Sequence, residues 1–113
     1  MITIWHNPRC SKSRQALALL EARGDDITIR RYLDDAPSVD ELRLTRDTLG
    51  LRAIDMMRPG EALFKELGLS KTDDDATLIA AMAAHPKLIE RPIVFANARA
   101  MIGRPPERVL DIL

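Results

Sequence analysis

The stretch from Ile2 to Leu33 constrains the fold more tightly than any other part of the chain. Ile2 to Trp5 is a short run of β-branched and aromatic residues, which reads as a buried strand. Asn7-Pro8 ends it, because proline removes a backbone donor and fixes a turn. A helix from about Ser11 to Arg23 follows, with Ala16, Leu17, Leu19 and Leu20 on its apolar face and Gly24 placed to stop it. After a tight turn at Asp25-Asp26, Ile27 to Leu33 alternates enough to form a second strand. Strand, helix and strand at this spacing make a βαβ unit, so the two strands are expected to be parallel.

The rest of the chain adds helices and then a hairpin. Ser38-Val39-Asp40-Glu41 is a capping box, which predicts a helix from Val39 to about Leu49, stopped by Gly50. Two short helical pieces, near Ile54 to Met57 and Glu61 to Leu67, flank Arg58-Pro59-Gly60. Thr72-Asp73-Asp74-Asp75 opens another helix to about Ala84, with acidic residues where the helix dipole favours them, and His85-Pro86 ends it. Ile93 to Ala96 and Ala100 to Ile102 form an antiparallel hairpin around Asn97-Ala98-Arg99. Pro105-Pro106-Glu107 starts a last short helix to Leu113. The fold class is therefore α/β: a small mixed sheet, parallel βαβ plus antiparallel ββα, with helices on both faces. This order is similar to that of a thioredoxin-like three-layer domain with a helical insertion before its third strand. A single domain over 1–113 is expected.

Composition excludes several function classes. Seventeen basic and seventeen acidic residues give no net charge, so nothing draws the chain to nucleic acid or to an anionic membrane. No apolar run is long enough to span a bilayer, and Met1-Ile2-Thr3-Ile4 opens directly into structure. One cysteine rules out an internal disulfide, and a reducing cytoplasm is the expected location. Monomer is the default expectation.

That one cysteine, Cys10, is the first candidate for chemistry. A thiol at a helix start is polarised by unpaired backbone N–H groups and by the helix dipole, and its pKa, about 8.5 when free, falls toward neutrality. Arg9, Lys12 and Arg14 add positive charge to the same loop. The competing reading is a small buried hydrophobe, the commoner use of free cysteine. Position 13, where a dithiol protein would place its second cysteine, is Ser13, so any adduct on Cys10 must be resolved by an outside thiol. Ser13 either hydrogen-bonds the thiolate or simply fills the first helical turn.

Arginine is the second feature, with thirteen against four lysines and a recurring Arg-Pro pair at Arg58-Pro59, Arg91-Pro92 and Arg104-Pro105. Proline holds the preceding residue extended and at an element end, where an arginine can face a shared cleft. Several fixed guanidinium forks suit an oxyanion, although ordinary surface arginines at turns would give the same pattern. Pro92 belongs at the start of a strand, and a cis bond there would bring backbone near Cys10. His6 either stabilises the thiolate or is satisfied by the turn. His85 is a helix-terminal residue, and Met56 and Met57 serve packing. No zinc spacing, phosphate loop or dinucleotide fingerprint is present, so no metal and no bound organic cofactor is expected.

His6-Asn7-Pro8-x-Cys10, Ser13-Arg14, Glu90-Arg91-Pro92-Ile93-Val94 and Gly103-Arg104-Pro105-Pro106-Glu107, in this order and spacing, resemble the glutaredoxin-coupled arsenate reductase family over almost the whole chain. The form Arg9-Cys10-Ser11-Lys12-Ser13 is closer to a sister branch than to the arsenic-resistance members. The resemblance implies a thioredoxin-like fold with Cys10 attacking arsenic and Arg58, Arg91 and Arg104 around the oxyanion. It also implies His6 near the thiolate and a cis Pro92. The implied reaction is reduction of arsenate to arsenite, with glutathione as co-substrate and a glutaredoxin as partner, serving arsenic detoxification. Two rival readings are another glutathione-linked thiol reductase and a redox regulator that binds RNA polymerase.

Overall fold

A computed structural model describes all residues, 1–113, and the chain divides into two compact units. The first comprises residues 1–35 and 91–113, the second 36–90.

The first unit holds a four-stranded sheet of order β2-β1-β3-β4, with β1 at Ile2–Trp5, β2 at Ile27–Arg30, β3 at Ile93–Ala96 and β4 at Arg99–Ile102. β1 and β2 are parallel, as the βαβ reading expects, whereas β1–β3 and β3–β4 are antiparallel. Helix α1, Ser11–Ala22, makes the crossover that parallel neighbours need. Its residues Ala16 and Leu20 pack with Ile2, Ile4, Val94, Val109 and Ile112 into a core on one sheet face. That burial is the main stabilising term for so small a sheet. On β1 and β3, Trp5 and Phe95 meet with ring centroids 5.0 Å apart, and the Arg30 guanidinium stands 5.5 Å from the Trp5 ring.

Three elements depart from the sequence expectations. β2 stops at Arg30 rather than Leu33, because Arg31 O accepts both Asp34 N–H and Asp35 N–H and so turns the chain. Tyr32 is buried from that turn, not from a strand. β4 begins at Arg99, one residue early, since Asn97 (φ 55°) and Ala98 (φ 59°) alone close the hairpin, two left-handed residues forming a turn that suits the right-handed twist of its strands. The final helix is 3-10 over Pro106–Ile112, a tighter form common in short terminal pieces.

The second unit is the helical insertion. Helix α2, Val39–Leu49, carries the expected capping box in full: Ser38 Oγ accepts Glu41 N–H and Glu41 Oε1 accepts Ser38 N–H, while Gly50 ends it at φ 68°. Helices α3, Ala62–Glu66, and α4, Asp75–Ala84, follow, the latter capped by Asp74 accepting Thr77 N–H at 2.8 Å. A 3-10 turn at Ala53–Met56 matches the first short helical piece, and another at Pro86–Leu88 is too short to leave a sequence period. Asp75 ties the unit together by accepting from Arg46 and from Ala53 N–H, both at 3.3 Å. Met57 and Ile89 form an antiparallel bridge.

Candidate active site

Sheet register decides which residues share the end of the first unit. Trp5 pairs with Ile93, and Ile93 with Ile102, so the residues just after β1, just before β3 and just after β4 meet at one edge. Those residues are the Cys10 turn, Arg91-Pro92 and Gly103-Arg104-Pro105.

The Cys10 turn is built by Asn7 and Ser13. His6 N–H donates to Arg30 O at 2.8 Å, carrying the parallel pairing one residue past the strand. Asn7 then folds the chain, its Oδ1 accepting Arg9 N–H and its carbonyl accepting Cys10 N–H, both at 3.0 Å. The Ser13 hydroxyl is fully buried, accepts Asn7 N–H at 3.0 Å and lies 2.6 Å from His6 Nδ1. Its side chain therefore serves the turn, and only its backbone faces the sulfur.

Cys10 is the N-cap of α1, in extended conformation and partly exposed. The thiol closes no cap hydrogen bond of its own. Burial pushes its pKa up, but the backbone N–H groups of Ser13 and Lys12, together with a hydrogen bond and the charge of Arg91, more than offset this. The thiol stands below its ordinary value. Arg104 completes the cluster, its Nη2 donating toward Cys10 Sγ at 3.8 Å and its Nε donating to Arg91 O at 2.9 Å.

Glycine makes this approach feasible. Gly103 N–H donates to Pro92 O at 2.9 Å, and a Cβ at Gly103 would stand 2.8 Å from Pro92 Cγ and 3.0 Å from Val109 Cγ1. The Arg91-Pro92 and Arg104-Pro105 peptide bonds are both cis. The sequence signal that marks Gly103 is a glycine between a strand and an Arg-Pro pair.

His6 stands apart from the thiolate's supporters. Burial, with the charges of Arg31 and Arg14, lowers its pKa against the opposing pull of Glu21, so the ring is held neutral. Its Nδ1 meets the Ser13 hydroxyl within the turn. Arg58 belongs to the second unit, where its guanidinium pairs with Glu61 at 3.2 Å and Glu90 at 3.6 Å. No group of three or more His, Cys, Asp or Glu is placed to hold a metal ion. No helix is long and apolar enough to cross a membrane.

A partly exposed thiol of lowered pKa with two guanidinium groups beside it can, once ionised, attack an oxyanion while the arginines neutralise the incoming charge. Known proteins carry the same arrangement of chain. The chain is 50% identical to an arsenate reductase of Neisseria meningitidis serogroup A, over 99% of its length and 97% of the relative's. It is equally 50% identical to a Streptomyces viridochromogenes protein described only as uncharacterized and lying in the glnII region, over 97% of each. Among solved structures, an arsenate reductase from Vibrio cholerae superposes with a TM-score of 0.95 at 54% identity, covering 99% of this chain and 97% of that one. The mixed sheet with its helices is thus a thioredoxin-like fold of that type. The family model described as ArsC matches residues 5–112, and the chain belongs to the ArsC family.

Proposed function

We propose that this protein reduces arsenate to arsenite through the Cys10 thiolate, with glutathione and a glutaredoxin supplying the electrons. The observation that carries the reading is the convergence of Arg91 and Arg104 on one sulfur of lowered pKa, reinforced by arsenate reductases among its relatives. Cys10 Sγ attacks arsenic(V) and an oxygen leaves as water after protonation, giving a sulfur–arsenic bond with arsenic still pentavalent. A glutathione thiolate then attacks Cys10 Sγ. The sulfur–arsenic electron pair departs with arsenic, which leaves as arsenite, and Cys10 is left in a mixed disulfide. A glutaredoxin thiolate attacks the glutathione sulfur of that disulfide and frees Cys10. Ser13 in place of a second cysteine fits a cycle that borrows its resolving thiol. Arg91 and Arg104 hold the oxyanion, Pro92 sets the backbone beside them, and Ser13 with His6 keeps the turn in shape. Arg58, which the resemblance would add as a third arginine, is paired within the second unit with Glu61 and Glu90.

Arsenite formation measured with arsenate, glutathione and glutaredoxin, each omitted in turn, tests the cycle. Turnover should require all three and vanish in Cys10→Ser. Arsenite formation by that variant, or turnover without added thiol, would reject the mechanism.

A further inference from the structure

A cavity of about 310 Å³ in the first unit is lined by His6, Pro8, Arg9, Arg31, Leu33 and Asp34 together with Asn7. We propose that this cavity binds the reducing thiol itself, a small peptide carrying two carboxylates and one ammonium, namely glutathione. The inference rests on the borrowed-thiol cycle above and says where its second substrate sits.

Charge is the first argument. Arg23, Arg30, Arg46, Arg52 and Arg58 each pair with a carboxylate of this chain. Arg9 and Arg31 do not, and both are exposed residues that line the cavity. The Asp34 carboxylate is likewise uncommitted, although its backbone N–H donates to Arg31 O and so fixes it beside the arginine. Two free guanidinium groups and one free carboxylate mirror two carboxylates and one ammonium. A simple inorganic anion would leave Asp34 opposed to it.

Size and position agree. The volume falls at the lower end for small-molecule sites, which run from roughly 300 to 1,000 Å³. Pro8 and Leu33 give the wall an apolar strip for a peptide backbone. Asn7, on the rim, accepts Cys10 N–H with its carbonyl, so the cavity and the reacting sulfur share one turn. His6 Nδ1 is engaged by Ser13, and Arg31 is the strongest of the charges acting on that ring.

Titrating S-methylglutathione, which cannot react, into the isotopically labelled protein provides the test. Backbone amide signals of Asn7, Arg9, Arg31 and Asp34 should shift, and Arg31→Glu and Arg9→Glu should each raise Kd at least tenfold while the remaining spectrum is retained. Shifts elsewhere, no shifts, an unchanged Kd in both variants, or equal shifts with sodium sulfate would overturn the site. Arsenate turnover separates the two claims. Binding in the cavity without any wild-type turnover would reject the arsenate reading and leave the site standing. Wild-type turnover whose KM for glutathione is unmoved by Arg31→Glu would do the reverse.

Discussion

Neighbours of two kinds lower the pKa of Cys10, backbone amides at a helix start and the side chain of Arg91. They are separable by mutation, because only the second can be removed. The rate of iodoacetamide labelling against pH should inflect below the value of a free thiol, about 8.5, and Arg91→Met should move the inflection upward. An inflection that stays put would leave the amides as the whole cause. Arg91→Ala and Arg104→Ala should each raise the KM for arsenate about tenfold or more, since charge-assisted bonds are worth roughly 1.5–3 kcal/mol. His6 makes a different, thermodynamic prediction. Its pKa in the fold lies below 6.5, so on acidification the unfolded chain takes up a proton that the folded chain refuses. The stability His6 contributes is therefore full above pH 6.5 and declines as pH falls toward the folded value. Urea midpoints of wild type and His6→Gln should differ most above that pH and draw together below it; a gap that is constant with pH would contradict a buried neutral ring.

Ser38 and Gly103 show how differently single residues act through their elements. Ser38→Ala removes the side-chain half of the capping box of α2, the Oγ that accepts Glu41 N–H, and should cost about 1 kcal/mol in stability with kcat unchanged. Gly103→Ala drives a Cβ against Pro92 and Val109, which are both buried, so about 1–3 kcal/mol is expected together with a fall in turnover, because Arg104 is the next residue. Equal effects of the two on turnover would mean that Gly103 is an ordinary turn glycine. The same contrast explains what was readable in advance. The capping box, the first turn of α4 and the left-handed stop at Gly50 are local chemistry and follow from adjacent residues. The early end of β2 depends on one carbonyl, Arg31 O, accepting two amides, and the alternation of Ile27, Ile29 and Leu33 hides that turn. The contact of Gly103 with Pro92 joins distant segments and leaves no local pattern.

The whole molecule carries one thiol, and its sheet places that thiol against arginines from the far end of the chain. Cys10, Arg91 and Arg104 were identifiable as residue types at suggestive positions, but what brings them together is the pairing of Trp5 with Ile93 and Ile93 with Ile102. Because there is a single cysteine, incubation with arsenate and glutathione should yield one glutathione adduct per chain by intact mass, none in Cys10→Ser, and no covalent dimer of Ser13→Ala beyond the wild-type level. Zero net charge likewise predicts no retention on heparin at moderate salt. Arg104 carries a further consequence. Its planar group spans two chain segments, one nitrogen on the Arg91 carbonyl and another on the Cys10 sulfur. A lysine keeps the positive charge but ends in a single ammonium and cannot reproduce the two fixed directions. Arg104→Lys should consequently lose most of the activity that Arg104→Ala loses, which would make direction, rather than sign, the quantity this position supplies.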